Sequence, residues 1–223
     1  MWNPTELWLE GAVMAVLHAA GPEQGYWVEE TGLFHDDGSS NWWQLMPFEG
    51  GRAIVMGKDH DLPGDLYDAL PQALSDAPGW LRDAWQDDAG PLRSVVRARA
   101  PIGFFCWVDE HGTWGEVPTD PAQDDGSALV GAPYSGSGER LFEDCTDADD
   151  LRQAYRLADA AFDAARAGAL DAEVLLPVLR HADPERARPF DIEAALAVAA
   201  RAGLTPGTAR PALPGAPLPQ EVK

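Results

Sequence analysis

Two short stretches of this chain, His35-Asp36-Asp37 and Asp59-His60-Asp61, each set an imidazole beside carboxylates. Brought together, such groups suit a divalent ion such as Zn, Mn or Fe. Carboxylates crowded at close range also drive their pKa values apart, which acid–base chemistry exploits. His35, Asp59, His60 and Asp61 are therefore the metal-ligating candidates, with metal-assisted hydrolysis as the reaction they would serve. Asp36, Asp37, Asp59 and Asp61 are the candidates for holding a basic protein partner. Two facts weigh against the metal: the spacing matches no zinc ligand pattern, and Asp and Gly are the residues turns favour for local backbone reasons.

The elements on either side decide whether the two stretches can meet. "WWQLMPF" (42–48) and "RAIVMGK" (52–58) read as strands joined by a tight turn at Gly50-Gly51. In such an antiparallel pair the loop before the first strand and the segment after the second share one end of the sheet. "HDDGSS" and "DHD" are thus expected on one rim. Apolar residues fill both faces of these runs, which marks central strands covered on both sides. Trp42 and Trp43 must point to opposite faces and anchor two core layers, so they form no common platform for a ligand.

Other reactive residues have plainer explanations. Asp109, Glu110 and His111-Gly112 make a hairpin turn, and His18 and His181 fall near helix ends, where a cation is favoured. No G-x-S-x-G is present, and "SGSGER" lacks the lysine and spacing of a phosphate loop. Cys106, inside "GFFCWV", reads as a small buried apolar residue. With Cys145 it makes neither a disulfide framework nor a zinc site. No cofactor motif occurs, and no cofactor is expected.

Upstream, "WNPTE" offers Asn3 as helix cap, Pro4 at the first position, Glu6 as capping-box acid and a Trp2–Leu7 staple. Leu9, Val13, Val16, Leu17 and Ala20 then form one buried stripe, ended by Gly21-Pro22. "YWVEE" and "LFH" add two strands. Residues 62–88 read as broken helix, with Trp80, Leu81, Ala84 and Trp85 on one face. "LRSVVRARA" and "IGFFCWVDE" read as strands, "HGTWGEV" closes a second hairpin, and residues 118–140 form a long loop with a short strand at "ALVGAPY". After residue 145, three helices follow. The first has Leu151, Ala154, Tyr155, Ala158, Ala161, Phe162 and Ala165 on one face; the second is interrupted or started by Pro177; the third is capped by Asp191 and stopped by Gly203.

The expected fold is α+β: a mostly antiparallel, twisted sheet packed by an N-terminal helix and broken helices, with a small C-terminal helical subdomain. Its parts are a core domain over 1–144, helices over 145–203 and a Pro-rich disordered tail over 204–223.

Thirty-seven acidic against sixteen basic residues give a net charge of −21. Such a field repels nucleic acid and anionic membranes and speeds association with basic partners. No signal peptide or membrane-spanning run is seen, so a cytoplasmic setting is expected, in a bacterium if the scarcity of Lys, Asn and Ile reflects GC-rich coding. The expected role is a non-enzymatic module that blocks a basic protein, in the manner of immunity proteins and antitoxins. That comparison rests on charge and on missing catalytic motifs alone. The oligomeric state is not legible.

Overall fold

The computed structural model describes residues 3–21, 25–118, 126–130 and 148–214. By its contacts the chain divides into two compact units, one of residues 30–130 with 212–223 and the other of 2–29 with 131–211. The boundary expected at 144/145 lies outside the described residues, as do Trp2, Pro22, Cys145 and "SGSGER".

Six strands form one sheet in sequence order: β1 (Tyr26–Glu29), β2 (Gly32–Asp36), β3 (Trp42–Pro47), β4 (Ala53–Lys58), β5 (Phe104–Val108) and β6 (Trp114–Glu116). Neighbours from β2 to β6 run antiparallel. With seven helices among the described residues, the fold is α+β, as the sequence implies.

In the first unit the register sorts the side chains into two layers. Phe34, Trp42, Met46, Ile54, Met56 and Phe105 join the core formed with three short helices, α2 (Leu70–Ala73), α3 (Gly79–Gln86) and α4 (Pro91–Arg99). Leu33, Trp43, Leu45, Val55 and Phe104 occupy the opposite face and are also buried. Trp42 and Trp43 thus serve separate layers, as strand alternation requires. Gln44, fully buried, donates to the Thr31 hydroxyl at 2.9 Å.

Residues 91–99 are a helix, not the strand that the Val95-Val96 pair suggests. Leu92, Val95 and Val96 stand at helical spacing and are buried, Pro91 opens the first turn, and Arg97 and Arg99 sit in the last, where cations suit the helix dipole. The described part of "ALVGAPY" lies in a 3-10 turn over Ser127–Val130, and the rest is outside the described residues.

In the second unit, α1 (Pro4–Ala20) starts as expected. The Asn3 side chain accepts from the N–H groups of Thr5 and Glu6. Its burial extends well beyond one stripe, to Leu7, Trp8, Ala12, Met14 and Ala15, which marks a helix enclosed on most sides. It contacts α5 (Ala148–Arg166), α6 (Ala172–Ala182) and above all α7 (Ile192–Arg201), where Trp8 Nε1 donates to the Ala202 carbonyl at 3.1 Å. On α5, Ala154, Ala158, Ala161, Phe162 and Ala165 are buried, but Leu151 and Tyr155 are exposed, contrary to the expected stripe. Pro177 lies inside α6 rather than starting it.

The tail expected to be loose is partly fixed. Gly203, with positive φ, lets residues 209–210 cross so closely that a Cβ there would lie 2.2 Å from the Arg210 nitrogen. Further on, Leu213 bridges in parallel to Phe48, donating to the Pro47 carbonyl and accepting from the Glu49 N–H. Residues 215–223 lie outside the described residues.

Gly57 tests the fold most directly. A Cβ at that position would lie 2.4 Å from the Trp42 carbonyl oxygen and 2.6 Å from the Phe104 ring. Gly57→Ala should therefore cost about 1–3 kcal/mol, read as a lower urea midpoint with an unchanged slope.

Candidate functional site

The loops after β2 and after β4 do meet at one end of the sheet. Asp36 pairs across from Trp42, and Trp42 from Lys58, which sets the three strand ends side by side. The link between the loops is Asn41. Its Oδ1 accepts from the His60 N–H at 2.8 Å, and its Nδ2 donates to Asp37 Oδ2 at 2.8 Å. One amide side chain thus uses its acceptor for one acidic turn and its donor for the other.

Each turn is also held from within. Asp36 Oδ1 accepts from the Gly38 N–H at 2.7 Å, and Asp37 Oδ1 accepts from Ser39 at 2.7 Å and from Asn41 at 3.2 Å. In the second turn Asp59 Oδ1 accepts from the Asp61 N–H at 2.9 Å. These are the Asx-turn bonds that Asp supplies in irregular backbone. Lys58 Nζ donates to the Leu62 carbonyl, closing the turn on its far side. Gly126 rests against Asp59: its φ is +82°, and a Cβ there would lie 2.6 Å from that of Asp59.

Burial raises the cost of ionising Asp37. The hydrogen bonds from the Asn41 side chain and from the Ser39 and Asn41 N–H groups, with His35 nearby, outweigh it and hold the carboxyl below the usual carboxylate range. The charge at this corner is therefore fixed at neutral pH.

The imidazoles take up separate places. Successive residues of β2 point to opposite faces, so His35 parts from Asp36 and sets its ring 5.6 Å from that of Trp43. His60 is exposed, with Nδ1 3.3 Å from Asp61 Oδ1. Among the described residues no three His, Cys, Asp or Glu side chains are grouped as ligands for a metal ion. The structure brings together the loops carrying His35, Asp59, His60 and Asp61, but gathers no such ligand set from them. Asp36, Asp37 and Asp59 are half-buried, and Asp61 is the most accessible of the four acids.

The residues missed in the sequence are the ones that organise the rim: Asn41, Lys58 and Gly126. The five-residue run from Asp37 to Asn41 held a signal, since an Asx residue at both ends of a Gly/Ser loop is turn chemistry. The hairpin at 109–112 follows the same pattern, with Asp109 Oδ1 accepting from His111 and Thr113. Burial there too is outweighed by hydrogen bonds, which lower the Asp109 carboxyl. Glu110 is lowered first by its own backbone N–H and then, against burial, by Arg52. Arg52 is 2% exposed, donates to Glu110 at 3.0 Å and lies over the Trp80 ring at 5.7 Å.

No family model, no curated protein and no solved structure matches the chain. No helix among the described residues is long and apolar enough to cross a membrane.

Two outcomes follow from this geometry. Asn41→Ala should destabilise the protein by about 1–2 kcal/mol, speed amide exchange at His60 and raise the Asp37 pKa; an unchanged His60 amide would show that the loops are not coupled. For pH, the folded Asp37 carboxyl titrates below the unfolded value of about 3.9. Its contribution is therefore complete above that value and lost as pH falls through the folded pKa. Asp37→Asn should flatten the fall in stability below about pH 4 while leaving its slope between pH 6 and 8 unchanged, as followed by urea unfolding.

Proposed function

We propose that this protein is a non-enzymatic, acidic interaction module that binds and blocks a basic protein partner through the rim formed by Asp36, Asp37, Asp59 and Asp61. The observation that carries the reading is the Asn41 clamp, which holds two acidic turns side by side before any partner arrives. Preorganisation matters because ordering a loop on binding subtracts from affinity.

The four acids have different parts. Both Asp37 oxygens are engaged inside the loop, so Asp37 is a buttress that contributes charge. Asp36 and Asp59 each use one oxygen in a turn bond, leaving the other for a partner's guanidinium or ammonium. Asp61, the most exposed, is placed to meet the partner first. The net charge of −21 adds long-range steering toward a basic surface. Blocking would be steric, by a partner's functional face held against the rim. A bacterial, cytoplasmic immunity- or antitoxin-type role is the biological form that suits this chemistry.

Affinity capture with the full chain should return a stoichiometric partner of high pI. Its association rate should fall steeply between 50 and 300 mM salt, and by about tenfold or more in an Asp36→Lys/Asp61→Lys variant. Capture of no basic partner, or an association rate indifferent to salt and to the charge reversals, would sink the proposal.

A further inference from the structure

The second unit contains a cavity of about 230 Å³, partly open to solvent, where the last turn of α1, strand β1 and the last turn of α7 meet. Ala15, His18, Tyr26, Trp27, Val198 and Arg201 line it. Its shape follows from the sequence. Ala15 and Ala19 on α1 leave room that larger side chains would fill. His18 packs edge-on to Tyr26, with ring centroids 5.6 Å apart and planes at 63°. Trp27 is one of the few large apolar residues left substantially exposed, at 37%.

Arg201 gives the cavity its chemistry. Its Nη1 donates to the Val28 carbonyl at 3.1 Å, which covers part of the open edge of β1 and fixes the guanidinium beside the cavity. That bond takes one of five donors. Among the described residues Arg201 makes no ion pair, although acids outnumber bases by more than two to one in the chain. A fixed guanidinium beside a cavity lined by aromatic residues matches a planar carboxylate, which can accept two parallel N–H bonds while an attached ring enters the cavity.

Charge and size narrow the class further. A cationic ligand would meet Arg201, and a polyanion would meet the overall field of −21 with a single guanidinium to offset it. An apolar cavity of about 150 Å³ accommodates benzene, so this larger one has room for a ring and a short acid group. We propose that this cavity binds a small aromatic monocarboxylate, its acid group held by Arg201 and its ring in the cavity.

The test is calorimetric titration of the full chain with benzoate and with indole-3-acetate, using benzamide as the uncharged counterpart of the first. At least one acid should bind saturably at one site per chain, and benzamide at least about tenfold more weakly than benzoate if benzoate is the acid bound. Arg201→Gln, which removes the positive charge and keeps a polar side chain, should weaken acid binding by about tenfold or more. Val198→Phe fills the cavity from a half-buried position and should abolish binding with Arg201 intact. The proposal is overturned if neither acid binds saturably, if benzamide matches benzoate, or if Val198→Phe binds as the unsubstituted protein does. If Arg201→Gln fails to fold, the Val198 variant and the benzamide comparison decide the matter.

Discussion

The alignment of β2, β3 and β4 is the constraint on which the acidic rim depends, and hydrophobic patterning alone cannot set it. When one face of a strand is wet, a slip of one residue exposes the whole apolar set, and the penalty fixes the register. Strand β3 is buried on both faces, so a slipped register would still bury mostly apolar side chains. What resists slippage is local. Gln44 is a polar side chain in an otherwise apolar strand, and moving it away from Thr31 would strand its amide donor in the core. Gly32 and Gly57 add steric locks. At Gly32 a Cβ would fall 2.0 Å from the Leu45 carbonyl oxygen, and at Gly57 the strand passes directly under Phe104. A shift by one residue would put a side chain into each of these gaps.

That alignment has consequences at the strand ends. With Trp42 opposite Lys58, Asn41 is the first residue beyond β3 on the side where β4 runs out into the second acidic turn, so its amide can reach both loops at once. The turns then satisfy their own backbone N–H groups with carboxylate oxygens, and at Asp37 those bonds hold the carboxyl below the usual carboxylate range. Lys58 turns its ammonium onto the Leu62 carbonyl of the same rim. A different solution operates at the 109–112 hairpin, where a buried guanidinium, Arg52, is matched by Glu110 and shielded by Trp80. A buried ion pair of this kind is poor evidence for added stability but costly to break from one side.

Much of this was legible in residue types. Asn3-Pro4 marks the start of α1, Gly50-Gly51 the central hairpin, and the pair of acidic loops at one rim follows from antiparallel order. What escaped was physics that sequence expresses ambiguously. Val95-Val96 is β-branched, yet its spacing from Leu92 is helical, and tertiary burial settled the conflict in favour of the helix. Leu151 and Tyr155 share the periodicity of the buried alanines on α5, but the apolar stripe runs out before the helix does. Proline content in the tail spoke of looseness, whereas a parallel bridge to Phe48 needs only one well-placed residue, Leu213, and no periodic pattern. Asn41 was hidden for a related reason: a clamp between loops has no period at all.

The same alternation that organises the core also limits the chemistry of the rim. An acid–base or metal centre needs several side chains converging on one point, within hydrogen-bond or ligand distance. In β2, convergence is blocked between neighbours, because His35 turns toward Trp43 while Asp36 faces the other way. What the rim does hold is charge of one sign along an edge: within the described residues Asp36 and Asp59 each use one carboxylate oxygen in a turn bond, beside an exposed Asp61. Bonds from neighbouring backbone N–H groups orient the carboxylates of Asp36, Asp37 and Asp59. The cost of assembling like charges is thus met within the fold itself, by Asn41 and the turn bonds.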